Sequence, residues 1–211
     1  MTDEEKKVLD TILSLCQREG ISPFQIDYKV HNEIKVSNVK GVITTDIKEN
    51  VVSVRYRGMY EERLGTFEDD KVDENRVDEI IKSIKQSALN SDRLCRPEFF
   101  GEPGQRYKSS GFKLSNVKMD NLKILNNKIV QSLKGMNSLF NDDAINEIST
   151  TLITGRRMMV NSKGLKVEKK FDRIVMKADC TFTKPDGEKS SATETYIGYN
   201  LMTIKPEYLA N

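Results

Sequence analysis

Val51-Val52-Ser53-Val54-Arg55-Tyr56-Arg57-Gly58 sends Val52, Val54 and Tyr56 to one side of an extended chain and Ser53, Arg55 and Arg57 to the other. A two-residue period of this kind marks a strand with one buried and one wet face. Gly58 and Gly65 bracket Met59 to Leu64, which predicts a bend or bulge followed by a return strand. Upstream, Ile26, Tyr28 and Val30 alternate with polar residues, as do Ile34 and Val36, and Val39 follows after a shift of phase. Val42 and Ile43 lead towards Ile47, with turn residues at Asn38 to Gly41 and at Lys48 to Asn50. The expectation for Phe24 to Phe67 is an antiparallel meander of about four strands, covered on one face.

Helices flank this meander. Val8, Leu9, Ile12, Leu13 and Cys16 recur at helical spacing, Thr2 and Glu5 fit a capping box, and Gly20 stands where a left-handed cap would end the helix. Asp73 is placed to cap a second helix whose inward stripe is Val77, Ile80, Ile81, Ile84 and Ala88. Both helices are expected on the apolar face of the sheet.

Regularity breaks between residues 92 and 113, where Pro97, Gly101, Pro103, Gly104 and Gly111 surround Phe99-Phe100. This reads as a linker pinned by the two aromatic rings. A third helix follows, with Met119, Leu122, Leu125, Ile129, Val130 and Leu133 inward and Gly135 at its end. Strands return from about Ala144 to Ile153 and from Arg157 to Val160. The turn Asn161-Ser162-Lys163-Gly164 then leads into a long strand from Leu165 to Thr183. Lys184-Pro185-Asp186-Gly187 predicts a hairpin, its return strand runs from Glu188 to Tyr199, and Pro206 could open a last helix. The fold class expected is α+β, in two small domains, residues 1–95 and 112–211, joined by a linker at 96–111. Each domain is expected to be an antiparallel sheet with covering helices.

Several functional classes are disfavoured by counting. Hydrophobic residues make up 37 % and charged residues 31 %, enough for a core under a wet surface. A net charge of +2, from 34 basic and 32 acidic residues without a long basic run, disfavours nucleic acid as a partner. No stretch approaches the roughly 20 apolar residues of a membrane-spanning helix. Cys16, Cys95 and Cys180 are odd in number and widely spaced, which fits reduced thiols in a cytoplasmic protein better than a disulfide framework or a zinc site. His31 is the single histidine, so neither an HExxH zinc motif nor a Ser-His-Asp or Cys-His arrangement can be built without it.

The remaining candidates have ordinary alternatives. Glu61-Glu62, Glu68-Asp69-Asp70 and Asp142-Asp143 are acidic, but lack the alternating ligands and glycine of a calcium loop. Gly101, Gly104 and Gly111 form neither GxGxxG nor a P-loop. Arg156-Arg157 could grip a carboxylate or serve a structural ion pair. Ser149-Thr150-Thr151 and Ser190-Ser191-Ala192-Thr193-Glu194-Thr195 could line an open strand edge able to accept an extended peptide through main-chain hydrogen bonds. No catalytic, cofactor-binding or metal-binding residue is assigned.

The order of pieces resembles the TldD/PmbA family. The resemblance rests on Val51 to Gly58 with Leu64-Gly65-Thr66 and a helix opening at Asp73. It also rests on the connection Pro97-Glu98-Phe99-Phe100-Gly101-Glu102 to Tyr107 and, most closely, on Val160-Asn161-Ser162-Lys163-Gly164 between long strands. Met59 to Leu64 departs from the family's more compact hydrophilic turn. The resemblance spans about Gly20 to Tyr199. It implies an old label, modulator of DNA gyrase, and a role in proteolysis of peptides and small proteins by paired homologous subunits. In that family one subunit carries zinc on an HExxxH motif in a third, carboxyl-terminal domain. This chain is then expected to be the non-catalytic amino-terminal portion, ending where that domain would start. Zinc is expected only in the catalytic subunit, and the expected partners are a homologous subunit, as homo- or heterodimer, and a peptide or small-protein substrate. The alternatives are a nucleic-acid-associated regulator or a stand-alone peptide- or protein-binding module.

Overall fold

In the computed structural model, residues 3–92, 94–104, 114–136, 143–183, 186–201, 204–205 and 209 are described. The expected capping residue Thr2, the Lys184-Pro185 half of the last hairpin, Asp142 and the helix proposed at Pro206 lie outside them.

Helix α1 (Asp3–Arg18) is followed by strands β1 (Phe24–Val39), β2 (Val42–Tyr60) and β3 (Arg63–Asp69). After a 3-10 turn at Glu74–Arg76 come α2 (Val77–Leu89) and, after a second 3-10 turn at Pro97–Phe99, α3 (Met119–Met136). Strands β4 (Ile145–Asn161), β5 (Lys166–Thr183) and β6 (Lys189–Gly198) complete the order. The class is α+β, as expected. The strands form a six-stranded sheet in the order β3-β2-β1-β4-β5-β6, and the β2–β3 and β5–β6 pairs are antiparallel. Among the described residues, no helix is long and apolar enough to cross a membrane.

The chain forms two compact units: Met1–Val30 with Val51–Ser110 and Arg156–Lys170, and His31–Asn50 with Gly111–Gly155 and Phe171–Asn211. The contiguous division at 95 and 112 differs from this arrangement at 31–50 and 156–170, and the residues expected as a linker, 96–111, are shared out between the units. The reason is strand length, since β1, β2, β4 and β5 each run through both units. Two predicted breaks accordingly lie inside strands. At the turn expected over Lys48 to Asn50, β2 continues through a single left-handed residue, Asn50 (φ 53°). Its N–H is taken by the side chain of Asn32 at 2.8 Å. Between Ile153 and Arg157, β4 likewise runs on without interruption. The expected four-strand meander is therefore three strands, two of them long.

The first unit is built on the predicted stripes. Leu9, Ile12 and Cys16 of α1 and Val77, Ile80 and Ile84 of α2 bury with Phe24, Ile26, Val54 and Tyr56 of the strands. Phe24, Tyr56 and Phe67 form a row of stacked rings, with centroids 6.4 and 6.1 Å apart. Asp73 caps the 3-10 turn before α2, accepting the Asn75 N–H at 3.0 Å, whereas α2 itself starts after Arg76 without a side-chain cap; Gly20 ends α1 at φ 79°. Gly65 is a different case: a Cβ there would sit 2.1 Å from the Ile84 carbonyl oxygen, so glycine is what lets β3 lie against α2. In the second unit, Leu122, Leu125, Ile129 and Leu133 of α3 bury with Val36, Ile148, Leu152, Ile174 and Met176.

Candidate functional site

The residues singled out by sequence are mostly consumed by structural partners. Arg157 on β4 forms a two-pronged ion pair with Asp27 on β1, with Nε 2.6 Å from Oδ1 and the second prong between Nη2 and Oδ2. Its guanidinium pKa is raised, above all by that hydrogen bond. Of the two readings of Arg156-Arg157, this pairing favours the structural one for Arg157. In the acidic run, Glu68 is 2.6 Å from Arg55, and Asp69, with a buried side chain, is 2.6 Å from Arg76. Glu61 and Glu62 form the β2–β3 turn, both at positive φ, the backbone of a tight two-residue hairpin. His31 is buried, and its Nε2 lies 2.8 Å from Glu33. The three cysteines are free and buried; burial raises the thiol pKa of each. Among the described residues, no three His, Cys, Asp or Glu side chains converge in a way that could hold a metal ion.

The Asn161-Ser162-Lys163-Gly164 corner is a fully engaged turn. Asn161 Oδ1 accepts the N–H groups of Lys163 (3.0 Å) and Leu165 (2.9 Å), and its Nδ2 donates to the Gly101 carbonyl at 2.7 Å. Ser162 closes a ring with Phe24: its N–H donates to the Phe24 carbonyl at 2.8 Å, and its Oγ accepts the Phe24 N–H at 2.9 Å. Lys163 reaches Glu102, and Gly164 takes φ 90°. Each residue type in this motif thus has a conformational task, which fixes the start of β5 and ties down the segment after Pro97.

The two serine- and threonine-rich stretches part company. Ser149 and Thr150 are buried, and Thr150 donates to the Leu122 carbonyl of α3 at 3.2 Å, so this stretch is not an open edge. Ser190 to Thr195 lies on β6, the last strand in the sheet order, and is exposed on both faces. The direction of its peptide groups follows from its neighbour. Thr181 donates its N–H to the Ala144 carbonyl at 2.7 Å, away from β6, and Thr181 stands opposite Ser191. In an antiparallel pair, a residue's N–H and C=O point the same way and the direction alternates along the strand. Ser191, Thr193, Thr195 and Ile197 therefore turn their peptide groups outward, while Ala192 and Glu194 turn theirs towards β5. Among the described residues, no strand pairs with that outer side.

Strand β3, at the other end of the order, is closed. The Thr66 N–H is accepted by Ser87 Oγ of α2 at 3.1 Å, Arg63 bridges to Leu94, and the Arg63 guanidinium caps the Leu89 and Ser91 carbonyls. Exposed edges invite pairing with another chain, and folded proteins ordinarily cover, bulge or charge them. β3 carries such a cover. β6 has no proline, and its charges are Lys189 at one end and Glu194. Sequence pattern could find the polar stretch; it could not say that one of two similar stretches points into a helix.

Neither a family model nor a curated protein matches the sequence. Solved structures share its fold over nearly the whole chain. A proposed modulator of a DNA gyrase from Thermotoga maritima aligns with TM-score 0.57 at 13 % identity, covering 97 % of this chain and 46 % of that one. TldE from Thermococcus kodakarensis aligns with TM-score 0.57 at 17 % identity, over 96 % and 45 %. A proposed modulator of DNA gyrase from Bacteroides thetaiotaomicron gives 0.58 at 13 %, over 99 % and 48 %. This chain spans a little under half the length of each, and the fold is the one the TldD/PmbA resemblance implied.

Proposed function

We propose that this chain is a TldD/PmbA-like module, corresponding to the amino-terminal portion of those proteins, which serves zinc-dependent proteolysis without performing it. Its task is to hold an extended segment, from a peptide substrate or a homologous partner subunit, along the outer edge of β6. The observation that carries this reading is the open edge itself, four outward peptide groups on a strand exposed on both faces. Main-chain pairing supplies affinity without demanding a particular sequence, and small serine and threonine side chains crowd no incoming strand. The shared fold with TldE, over 96 % of this chain and 45 % of that one, supports the family half of the proposal. Zinc belongs, in this reading, to the catalytic subunit. Three buried free thiols agree with a cytoplasmic setting.

The test is fluorescence anisotropy with labelled extended peptides of varied sequence. Thr193→Pro removes an outward N–H without touching the β5 ladder, and should abolish binding while circular dichroism stays unchanged. Thr193→Ala should bind as the parent does, because the contact is made by backbone. Equal binding by the proline variant would remove β6 from the account.

A further inference from the structure

We propose that the outer face of β4 and β5 in the first unit binds a monoanionic carboxylate carried on a short aliphatic body. Arg157 and Met159 lie two residues apart on β4, and Val167 and Lys169 two apart on β5, so each pair points to one side of its strand. The intervening Met158 and Val160 are buried with the α1 and α2 stripes, which puts Arg157 and Met159 on the side away from those helices. Together the four side chains line a cavity of about 200 Å³. An apolar cavity of about 150 Å³ holds a benzene molecule, so there is room here for a body of leucine size against Met159 and Val167. The charge follows from the ion pair already described. Asp27 engages Nε and Nη2 of Arg157 and neutralises it, leaving Nη1 as a donor without a partner among the described residues. Lys169 has neither an ion pair nor a hydrogen bond among the described residues, so the cavity carries one uncompensated positive charge. A phosphate dianion would keep a charge unneutralised and would cover no apolar surface, whereas a monoanionic acid with an aliphatic tail satisfies both halves of the lining. An ammonium next to the carboxylate, as in a free amino acid, would be repelled by Lys169. Two sources share the required chemistry: a simple aliphatic acid, and the last residue of a peptide, whose nitrogen is a neutral amide. The site uses no residue of β6 and stands independently of the acceptor-edge reading.

Methyl NMR of the intact chain, read at Met159 with isocaproate as the probe, tests this. Isocaproate should shift the Met159 methyl and saturate with a Kd of about 1–10 mM, as suits a ligand of so few atoms. Isocaproamide, the same shape without the charge, should bind at least about fivefold more weakly. Lys169→Gln should weaken isocaproate by a similar factor, Lys169→Arg should restore it, and Val167→Phe, which fills the cavity, should abolish it with circular dichroism unchanged. Tighter binding of N-acetyl-leucine than of isocaproate assigns the site to a peptide carboxyl terminus, and the reverse order assigns it to a free acid; either order upholds the carboxylate site. Equal binding of acid and amide, an equal response to inorganic phosphate, or indifference to Lys169→Gln overturns the inference. So does a Met159 methyl that stays unmoved throughout the isocaproate titration.

Discussion

Asn126 is the polar residue on which the packing of α3 most depends. It has no exposed surface, and it occupies the same helical face as Leu122 and Ile129. Its Nδ2 donates to the Ile148 carbonyl at 2.9 Å and to the Val36 carbonyl at 3.2 Å, so one amide ties α3 to both β4 and β1. Its Oδ1 is buried with no hydrogen-bond partner among the described residues. Asn126→Ala deletes two neutral hydrogen bonds, about 1 kcal/mol each, and leaves a small void costing about another 1 kcal/mol. The total expected is about 2–4 kcal/mol. Asn126→Leu forfeits the same bonds but fills the space and removes the unpartnered oxygen, so it should cost about 1–2 kcal/mol. Asn126→Asp aims a carboxylate at two carbonyl oxygens and should cost most, more than about 4 kcal/mol. Urea denaturation followed by circular dichroism reads the series. With a slope of about 2–3 kcal/mol per molar, the alanine variant should shift the midpoint by about 1 M. The order Asp, then Ala, then Leu is the discriminating result. If Asp and Leu are tolerated alike, the amide is not bridging the strands and the reasoning fails.

Three further outcomes follow from the packing and the charges. Gly65→Ala drives a Cβ to 2.1 Å from the Ile84 carbonyl oxygen, and backbone on both sides cannot yield cheaply. A loss of about 1–3 kcal/mol is expected in thermal melts. Glu147 is held below the usual glutamate range, first by its hydrogen bond to Lys35 and then by that to Ser37. A carboxylate with a depressed folded pKa contributes stability above its unfolded value, and that contribution is lost as pH falls through the folded one. Acid titration of Glu147→Gln should therefore show a shallower decline from about pH 4.5 downward than the parent; an unchanged slope would remove Glu147 from the acid transition. The Cys16 thiol is pushed up to about 12, mainly by burial and then by the Glu19 carboxylate. A disulfide reagent at pH 8 should reach it only at the rate of unfolding, and rapid labelling in the native state would contradict the packing of α1.

Where a signal in the sequence is local, the structure repeats it. The α1 and α2 stripes, the turn within Asn38 to Gly41 and the left-handed Gly164 each depend on a few neighbouring residues, and all are present, while Asp73 caps the 3-10 turn one step before α2. What failed is information held by neighbours in space. Asn50 resembles a turn residue, but Asn32 on the adjacent strand accepts its N–H and β2 continues. Thr150 and Thr193 have the same chemistry. One donates to a helix carbonyl and the other lies on an exposed edge, because α3 covers the first position and no described element covers the second. Asn126 left the only trace available, a polar residue inside an apolar stripe. The candidate site was legible as a stretch of residues, while its defining property, the outward direction of alternate peptide groups, needed the β5 register.

Residue-resolved amide hydrogen exchange on β6, at a dilution where the chain is monomeric, addresses the open edge most directly. The amides of Ser191, Thr193 and Thr195 should exchange about a hundredfold or more faster than those of Ala192 and Glu194, which are held by β5. Equal and strong protection at all these positions would mean that the outer side of β6 is already occupied within the chain, and the acceptor edge would not exist.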